Sequence, residues 1–227
     1  MRKQLVLAAL LGAASLPAPA AESLSYTYVE GGYARQSKDE LPTLWGGVMQ
    51  TLRPDAPDTD GLFVGGSFAI TDSWYAFGNY RRGTDDVDVD TFDFFWNQVT
   101  STAVHEVTAT TLNLGVGYRY GVTDSTDLLA EVSAHRMEFD IEGDRYPDDP
   151  STDPRVSVGV RSAFGPMEAW AKASYTDIGP VERGSQPDGF SATGGLQYKF
   201  NPTLGIVGEY EGGDGYSQFT LGVRASF

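Results

Sequence analysis

The stretch Tyr216-Ser217-Gln218-Phe219-Thr220-Leu221-Gly222-Val223-Arg224-Ala225-Ser226-Phe227 alternates along its whole length. Phe219, Leu221, Val223, Ala225 and Phe227 fall on one side of an extended strand, with Gln218, Thr220, Gly222, Arg224 and Ser226 on the other, because strand side chains alternate faces with period two. A strand of a soluble sandwich could carry the same pattern. The length of this segment, its last residue Phe227 and the composition of the other end of the chain point instead to a strand of an outer-membrane β-barrel, apolar side to lipid and polar side to the lumen.

The other end begins Met1-Arg2-Lys3, continues with an apolar run from Leu5 to Leu11, and places Ala18-Pro19-Ala20 before Ala21-Glu22. A positive start, a short apolar region and a small-residue cleavage site make a secretory signal peptide. The run is too short for a membrane-spanning helix, which needs about 20 residues. Residues 1–20 are therefore expected to be removed, leaving 21–227 as one barrel domain, with a retained anchor as the alternative. No other segment has a long uninterrupted apolar run, and mean hydropathy is below zero. That excludes a helical membrane protein but not a barrel, whose alternating strands hide from hydropathy averages. Cysteine is absent, so no disulfide framework supports an exported fold. The net charge of −15, or −17 without Arg2 and Lys3, excludes nucleic acid as a partner because its phosphates would be repelled.

Ten strands are predicted: 24–35, 61–70, 74–82, 107–120, 127–139, 155–164, 167–177, 189–200, 203–211 and 216–227. Most approach the ~9–11 residues that a tilted strand needs to cross a membrane, and Gly, Thr, Val, Tyr and Phe dominate them. Tight connections at Thr71-Asp72-Ser73, Val122 to Thr126, Gly165-Pro166 and Asn201-Pro202 alternate with longer ones at 36–60, 83–106, 140–154 and 178–188, and a shorter one at 212–215. Such sorting builds a closed, antiparallel, up-and-down transmembrane barrel, all β, of ten strands with eight as the fallback, its long loops extracellular. Val156, Val158, Val160 and Phe164 should meet lipid while Arg155, Ser157, Gly159 and Arg161 point inward. Phe190, Ala192, Leu196, Tyr198 and Phe200 oppose Ser191, Thr193, Gln197 and Lys199. Leu112, Leu114, Val116, Tyr118 and Tyr120 oppose Asn113, Gly115, Gly117 and Arg119. The first and third strands are ambiguous. Glu30 argues one register for the first and Leu24 the other, so a bulge between them is expected.

Tyr26, Tyr28, Tyr33, Trp74, Tyr118, Tyr120, Tyr198, Phe200 and Phe227 lie near strand ends, where aromatic girdles mark the water–hydrocarbon boundary; ordinary sheet composition is the alternative. The segments Ser25-Tyr26-Thr27-Tyr28-Val29-Glu30-Gly31-Gly32-Tyr33, Gly78-Asn79-Tyr80, Gly115-Val116-Gly117-Tyr118 and Gln197-Tyr198-Lys199-Phe200-Asn201-Pro202 resemble those of the small outer-membrane β-barrel proteins of the OmpA/OmpX-like group, with the closest likeness to Gly- and Tyr-rich short proteobacterial barrels. The resemblance covers essentially all of 21–227. It implies an architecture and is almost silent on activity, because such barrels host adhesins, narrow pores, enzymes and structural proteins. The connections 36–60 and 83–106 look long for the group, and no peptidoglycan-binding domain is expected after the barrel, so an anchoring role of that kind is not expected.

Charged residues expected to face the lumen are Arg119, Glu131, Arg155, Arg161, Glu168, Lys172, Lys199, Glu209, Glu211 and Arg224. A ten-stranded barrel lies near the filled end of the size range. These charges either pair across the lumen as a polar core, leaving a structural or adhesin-like surface barrel, or line a narrow channel for water, ions or small solutes. Unpaired buried charges would be too costly in either case. Barrel enzymes are a third class; Glu131, Ser133 and His135 share a face, but residues two apart on a strand sit nearly ~7 Å apart, too far for a direct Ser–His bond. No catalytic site and no cofactor are expected. Asp85, Asp86, Asp88, Asp90 and Asp93 crowd one connection, and Asp140, Glu142, Asp144, Asp148, Asp149 and Asp153 another. The first four are weak divalent-ion candidates, without the EF-hand pattern; a solvated acidic rim is the stronger reading, and in an outer membrane divalent ions could also bridge such carboxylates to lipopolysaccharide phosphates. Apolar clusters interrupt the loops at Leu41–Val48, with no preferred structure, and at Phe92, Phe94, Phe95 and Trp96, where Thr and Val alternating to Val107 favour an extended hairpin. The expected partners are outer-membrane lipid and lipopolysaccharide, and, during biogenesis, the assembly machinery; the protein is expected to be a monomer.

Tyr216, Phe219, Leu221, Val223 and Phe227 resemble the signal that this machinery reads. Deleting Phe227 should therefore lower outer-membrane yield more than Phe190→Ala does, as measured by fractionation. Equal yields would make Phe227 merely another lipid-facing aromatic.

Overall fold

Alternating segments of this length can satisfy their backbone groups in a membrane only by pairing with each other around a complete ring. The computed structural model describes residues 24–38, 44–46, 48–52, 58–93, 98–141, 152–176, 189–213 and 215–227, and shows that ring. Its strands are β1 (Tyr28–Lys38), β2 (Leu44–Gly46), β3 (Val48–Leu52), β4 (Asp58–Ala69), β5 (Trp74–Asp93), β6 (Gln98–Thr123), β7 (Thr126–Ile141), β8 (Thr152–Phe164), β9 (Met167–Thr176), β10 (Gly189–Lys199), β11 (Leu204–Gly213) and β12 (Tyr216–Ser226). Ten of them close in the order β1-β4-β5-β6-β7-β8-β9-β10-β11-β12, every neighbour antiparallel, and β12 pairs back onto β1 from Tyr28↔Ser226 to Lys38↔Tyr216. The ten expected strands are all present. The expected signal peptide lies outside the described residues, as does the connection 178–188.

The short connections are tight turns. The backbone N–H groups of Ile70 and Thr71 donate to the Trp74 carbonyl at 2.8 and 3.1 Å, and Phe200 and Asn201 do the same to Leu204 at 2.9 and 3.3 Å. Gly165 takes a left-handed φ of 60° in the β8–β9 turn, a conformation that glycine adopts without a Cβ penalty. On the outer face Val156, Val158, Val160 and Phe164 are exposed, as are Phe190, Leu196, Tyr198, Phe219 and Leu221, while the alternate positions are buried.

Several expectations change. Strand β1 pairs with both neighbours without a register shift, so no bulge separates Leu24 from Glu30. Both residues belong to the inward set. Leu24 precedes the strand and packs on a buried cluster of Tyr26, Tyr75 and Leu129 that fills the end of the lumen carrying the tight turns. An apolar side chain at an inward position misled the pattern because this part of the lumen is itself apolar. The same cluster claims Tyr26, and Tyr28 lies over inward-facing Arg224, so neither belongs to the outer girdle. Trp74, Tyr118, Tyr120, Tyr198 and Phe227 do lie on the outer surface near the tight-turn end, with Trp74 and Tyr118 stacked edge-on at 5.1 Å.

The segment 83–106 is mostly ladder rather than loop. Strand β5 runs 20 residues and β6 runs 26, about twice a membrane crossing, and they stay paired to Asp93↔Gln98 with one register shift near Thr91. This is the extended hairpin expected around Phe92; Phe94 to Trp96 lie outside the described residues. Within 36–60, β2 and β3 form a small hairpin whose Met49–Leu52 pairs with Val89–Phe92 of β5. Val87, Val107, Ala109 and Met137 on the inward side of this extension are buried, so it carries apolar packing of its own.

Two substitutions separate the membrane-embedded wall from the extension. Val158→Arg, on an exposed position of β8, should cost about 2–4 kcal/mol in urea unfolding from lipid vesicles. Asp86→Arg on the outer face of the extension should stay within about 0.5 kcal/mol. Equal costs would place both in the same solvent.

Candidate functional site

Inward positions bring the lumen charges together in linked groups. Near the tight-turn end, the Tyr26 hydroxyl donates to Asp127 at 2.9 Å, and Arg119 reaches the same carboxylate at 3.4 Å while its guanidinium lies 4.6 Å from the Tyr26 ring centre. Above them Arg161 donates to Glu168 through Nε at 3.1 Å and Nη2 at 2.5 Å, and Lys199 pairs with the other oxygen. The ladder explains the meeting: Glu168 stands beside Ala163 on β8 and Gln197 on β10, each two residues from its cation.

Arg224 and Glu30 face each other directly across the β1–β12 seam and bond at 2.7 Å. The Arg224 guanidinium lies 4.0 Å from the Tyr28 ring centre and 4.9 Å from that of Trp170, and it donates to Gln197 at 3.3 Å. Lys172 reaches Glu131 at 3.3 Å across the whole of β8. It can do so because Gly159 stands between them, where a Cβ would collide with the Lys172 stem. Tyr75 donates to the same Glu131 at 2.8 Å, and Trp170 donates to Glu209 at 2.8 Å. Gly117 and Gly195 make room for these two rings; a Cβ at either would strike Tyr75 or Trp170.

Farther up, bonds cross the lumen. Arg81 of β5 donates to Glu209 at 3.3 Å and to Gln218 at 2.9 Å. Arg155 of β8 reaches Glu211 of β11 at 2.5 Å, and Ser191 and Tyr216 also donate to that carboxylate at 3.1 and 2.6 Å. Between these groups lies a cavity of about 80 Å³, enough for a handful of waters. Asn79 Oδ1 and Arg81 Nε belong to residues that line it, and neither atom has a hydrogen-bond partner among the described residues.

All of the expected inward charges point into this network. Sequence reasoning missed Arg81, Asp127, Trp170 and Tyr75, and used Glu30 only to argue register. Strand β5 hid Arg81, because its inner face carries Tyr75 and Phe77 and because Arg82 follows on the outer face. The inward glycines at 117 and 195 were the available signal, since they make space for large rings. Tyr216 is buried on the lumen face with its hydroxyl on Glu211. It therefore does not share the outer face of Phe219, Leu221, Val223 and Phe227, which leaves those four of the five residues expected to form the assembly signal on one face.

Glu131, Ser133 and His135 do share the inward face, but Glu131 accepts from Tyr75 and Lys172, and no hydrogen bond joins Ser133 to His135. The weak divalent-ion candidates do not converge either. Asp85, Asp86, Asp88 and Asp90 lie on β5, whose alternation sends Asp85 to the face opposite Asp86 and Asp88. Asp85 instead accepts from the backbone N–H groups of Asp58 at 3.1 Å and Asp86 at 2.9 Å. Among the described residues no three His, Asp or Glu side chains gather as a metal site. At the rim, the Ser37 hydroxyl and the Arg35 guanidinium hold the Asp58 carboxyl below the usual carboxylate range.

The family model for the outer membrane protein β-barrel domain matches residues 6–227. No curated protein sequence matches the chain. Among solved structures, it is similar to the outer membrane protein OprG from Pseudomonas aeruginosa (12% identity, 91% of this chain and 98% of that one, TM-score 0.47). It is also similar to the translocator domain of autotransporter NalP from Neisseria meningitidis (12% identity, 100% and 95%, TM-score 0.47), and to Ail, the attachment invasion locus protein of Yersinia pestis (12% identity, 88% and 97%, TM-score 0.39). At these scores the architecture rests on the closed ladder and the family match, not on the likenesses.

If the lumen charges form a packed core, removing one partner leaves the other buried. Arg161→Ala should then destabilise the barrel by about 3–5 kcal/mol in urea unfolding, and Glu168→Gln, which strands both Arg161 and Lys199, by at least as much. A loss below about 1 kcal/mol, the value for solvated pairs, would indicate a lumen of bulk water.

Proposed function

The chain belongs to the outer membrane protein β-barrel domain family and resides in the bacterial outer membrane, and from that premise we propose that it is a structural or surface-interaction barrel whose lumen is held closed by paired side chains. One observation carries this reading. Each of the inward cations Arg81, Arg119, Arg155, Arg161, Lys172, Lys199 and Arg224 has a carboxylate partner, and two of these bonds, Arg81–Glu209 and Arg155–Glu211, cross the lumen. A conducting path through that network would have to break bonds between buried charges. What the protein presents to the outside is the tall β5–β6 hairpin, with Asp86, Asp88 and Glu106 exposed. Such a surface favours a cationic partner.

A narrow channel is the second reading, favoured by the 80 Å³ cavity and the unpartnered Asn79 and Arg81 atoms at it, which suit a hydrated lumen. A catalytic role is not proposed, because Glu131 is engaged by Tyr75 and Lys172 and offers nothing to Ser133 or His135. Biogenesis through the assembly machinery, with Phe219, Leu221, Val223 and Phe227 as the face it reads, completes the proposal, together with function as a monomer.

Planar-bilayer recording decides between the two readings. The folded protein should show no reproducible single-channel steps, while the double variant Arg81→Ala/Glu209→Ala, which removes one cross-lumen bond, should begin to conduct. Steps of constant size from the unaltered protein would replace the closed barrel with the channel.

A further inference from the structure

The cavity in the lumen lies between a floor and a roof. Its floor is the apolar cluster of Tyr26, Tyr75 and Leu129, and its roof is Arg81, which reaches across the lumen to Glu209 and Gln218. At ~10–15 Å³ for each water, its 80 Å³ holds roughly five to eight. That is the size of a short-chain polyol such as glycerol or erythritol, and smaller than a hexose.

The walls decide which class of molecule suits this space. Every charged side chain that lines it is already paired: Arg81 with Glu209, Lys172 with Glu131, Arg224 with Glu30, and Arg161 with Glu168. An ion of either sign would arrive stripped of water and meet no uncompensated charge. A neutral molecule avoids that penalty. Two of the lining side chains keep hydrogen-bonding capacity, because neither Asn79 Oδ1 nor Arg81 Nε has a partner among the described residues. The first accepts and the second donates, and a hydroxyl group does both. The Asn79 amide turns in a broad torsional well, so either of its ends can meet a ligand.

The rest of the lining is apolar and aromatic, with Phe63, Phe77 and Val207 beside the floor cluster. Water gains no hydrogen bond from those surfaces, whereas the C–H groups of a carbon chain pack on them, and replacing loosely held water by an apolar group gains affinity. A few polar groups in an otherwise apolar pocket are what fix a small ligand in place. We propose that this cavity binds a short-chain neutral polyol, with Asn79 and Arg81 holding its hydroxyls and Phe63 and Phe77 its carbon chain. The site lies wholly between floor and roof, so it stands whether or not the lumen conducts.

Trp170 lines the cavity and reports on it. In a full chain carrying Trp45→Phe, Trp74→Phe and Trp96→Phe, it is the one tryptophan left. This protein is folded into detergent at a series of solute concentrations, so that entry past Arg81 does not limit occupancy, and the Trp170 emission is recorded. Glycerol and erythritol should shift it to shorter wavelength along a saturating curve. Sorbitol, acetate and ethylammonium should give no saturating shift. Asn79→Leu should weaken erythritol binding about three- to tenfold, the value of one neutral hydrogen bond. Ser67→Leu, which narrows the lining while leaving Asn79 and Arg81 in place, should weaken erythritol more than glycerol. Both variants should keep heat-modifiable migration. A response linear in concentration for every solute would overturn the site and leave the cavity to water alone. Saturation by acetate or ethylammonium at the same concentrations, or unchanged erythritol affinity in Asn79→Leu, would overturn it as well.

Discussion

Lipid offers no hydrogen bonds, so every backbone N–H and C=O within the bilayer must find its partner within the protein, and an inward charge shut away from water needs an opposite charge beside it. The closure of β12 onto β1 meets the first demand and the Arg224–Glu30 pair, set directly opposite on that seam, meets part of the second. The rest of the molecule follows from these two requirements. The ladder has no free edge within the ring, and the lumen is furnished with carboxylates wherever it is furnished with cations.

A ring of ten strands leaves an interior that side chains can nearly fill, and the chain fills it unevenly. Tyr26, Tyr75 and Leu129 make an apolar floor, the ion pairs occupy the middle, and Val87, Val107, Ala109 and Met137 are buried where the wall rises beyond the membrane. Glycines set the geometry of the middle. Gly159 lets Lys172 reach across β8, and Gly117 and Gly195 let Tyr75 and Trp170 lie flat against the wall. Their hydroxyl and indole N–H are thereby delivered to Glu131 and Glu209, so that two carboxylates are each shared between an aromatic donor and a cation.

The wall faces three environments, and its composition changes at each boundary. Exposed Trp74, Tyr118, Tyr120, Tyr198 and Phe227 border the tight turns, and among the described residues outward arginines appear only where β1, β5 and β7 leave the hydrocarbon. Beyond that level β5 and β6 continue as a water-exposed ladder whose outer face is acidic. The continuity of the ladder matters here: because β5 never breaks, Asp86 and Asp88 are spaced along one face while Asp85 turns to the other, so they do not gather as loop ligands would.

The alternation from Phe219 to Phe227, the four tight turns and the absence of a long apolar run were enough to read a ten-stranded barrel and the facing of β6, β8, β10 and β12, because lipid on one side and a polar lumen on the other impose period two wherever both surfaces are uniform. The inward charges on those strands were legible for the same reason. Strands β1 and β5 were not, since their inward positions pass through the apolar floor, and there Leu24, Tyr26, Tyr75 and Phe77 look like lipid-facing residues. The pairing of charges was also beyond the sequence: Arg81 and Glu209 are 128 residues apart, and only ring closure and strand register bring them across the same lumen. Sequence by itself determined which residues face inward where the two solvents differ sharply; tertiary structure decided which of them meet, because contact across a barrel depends on register and diameter, and no local pattern encodes either.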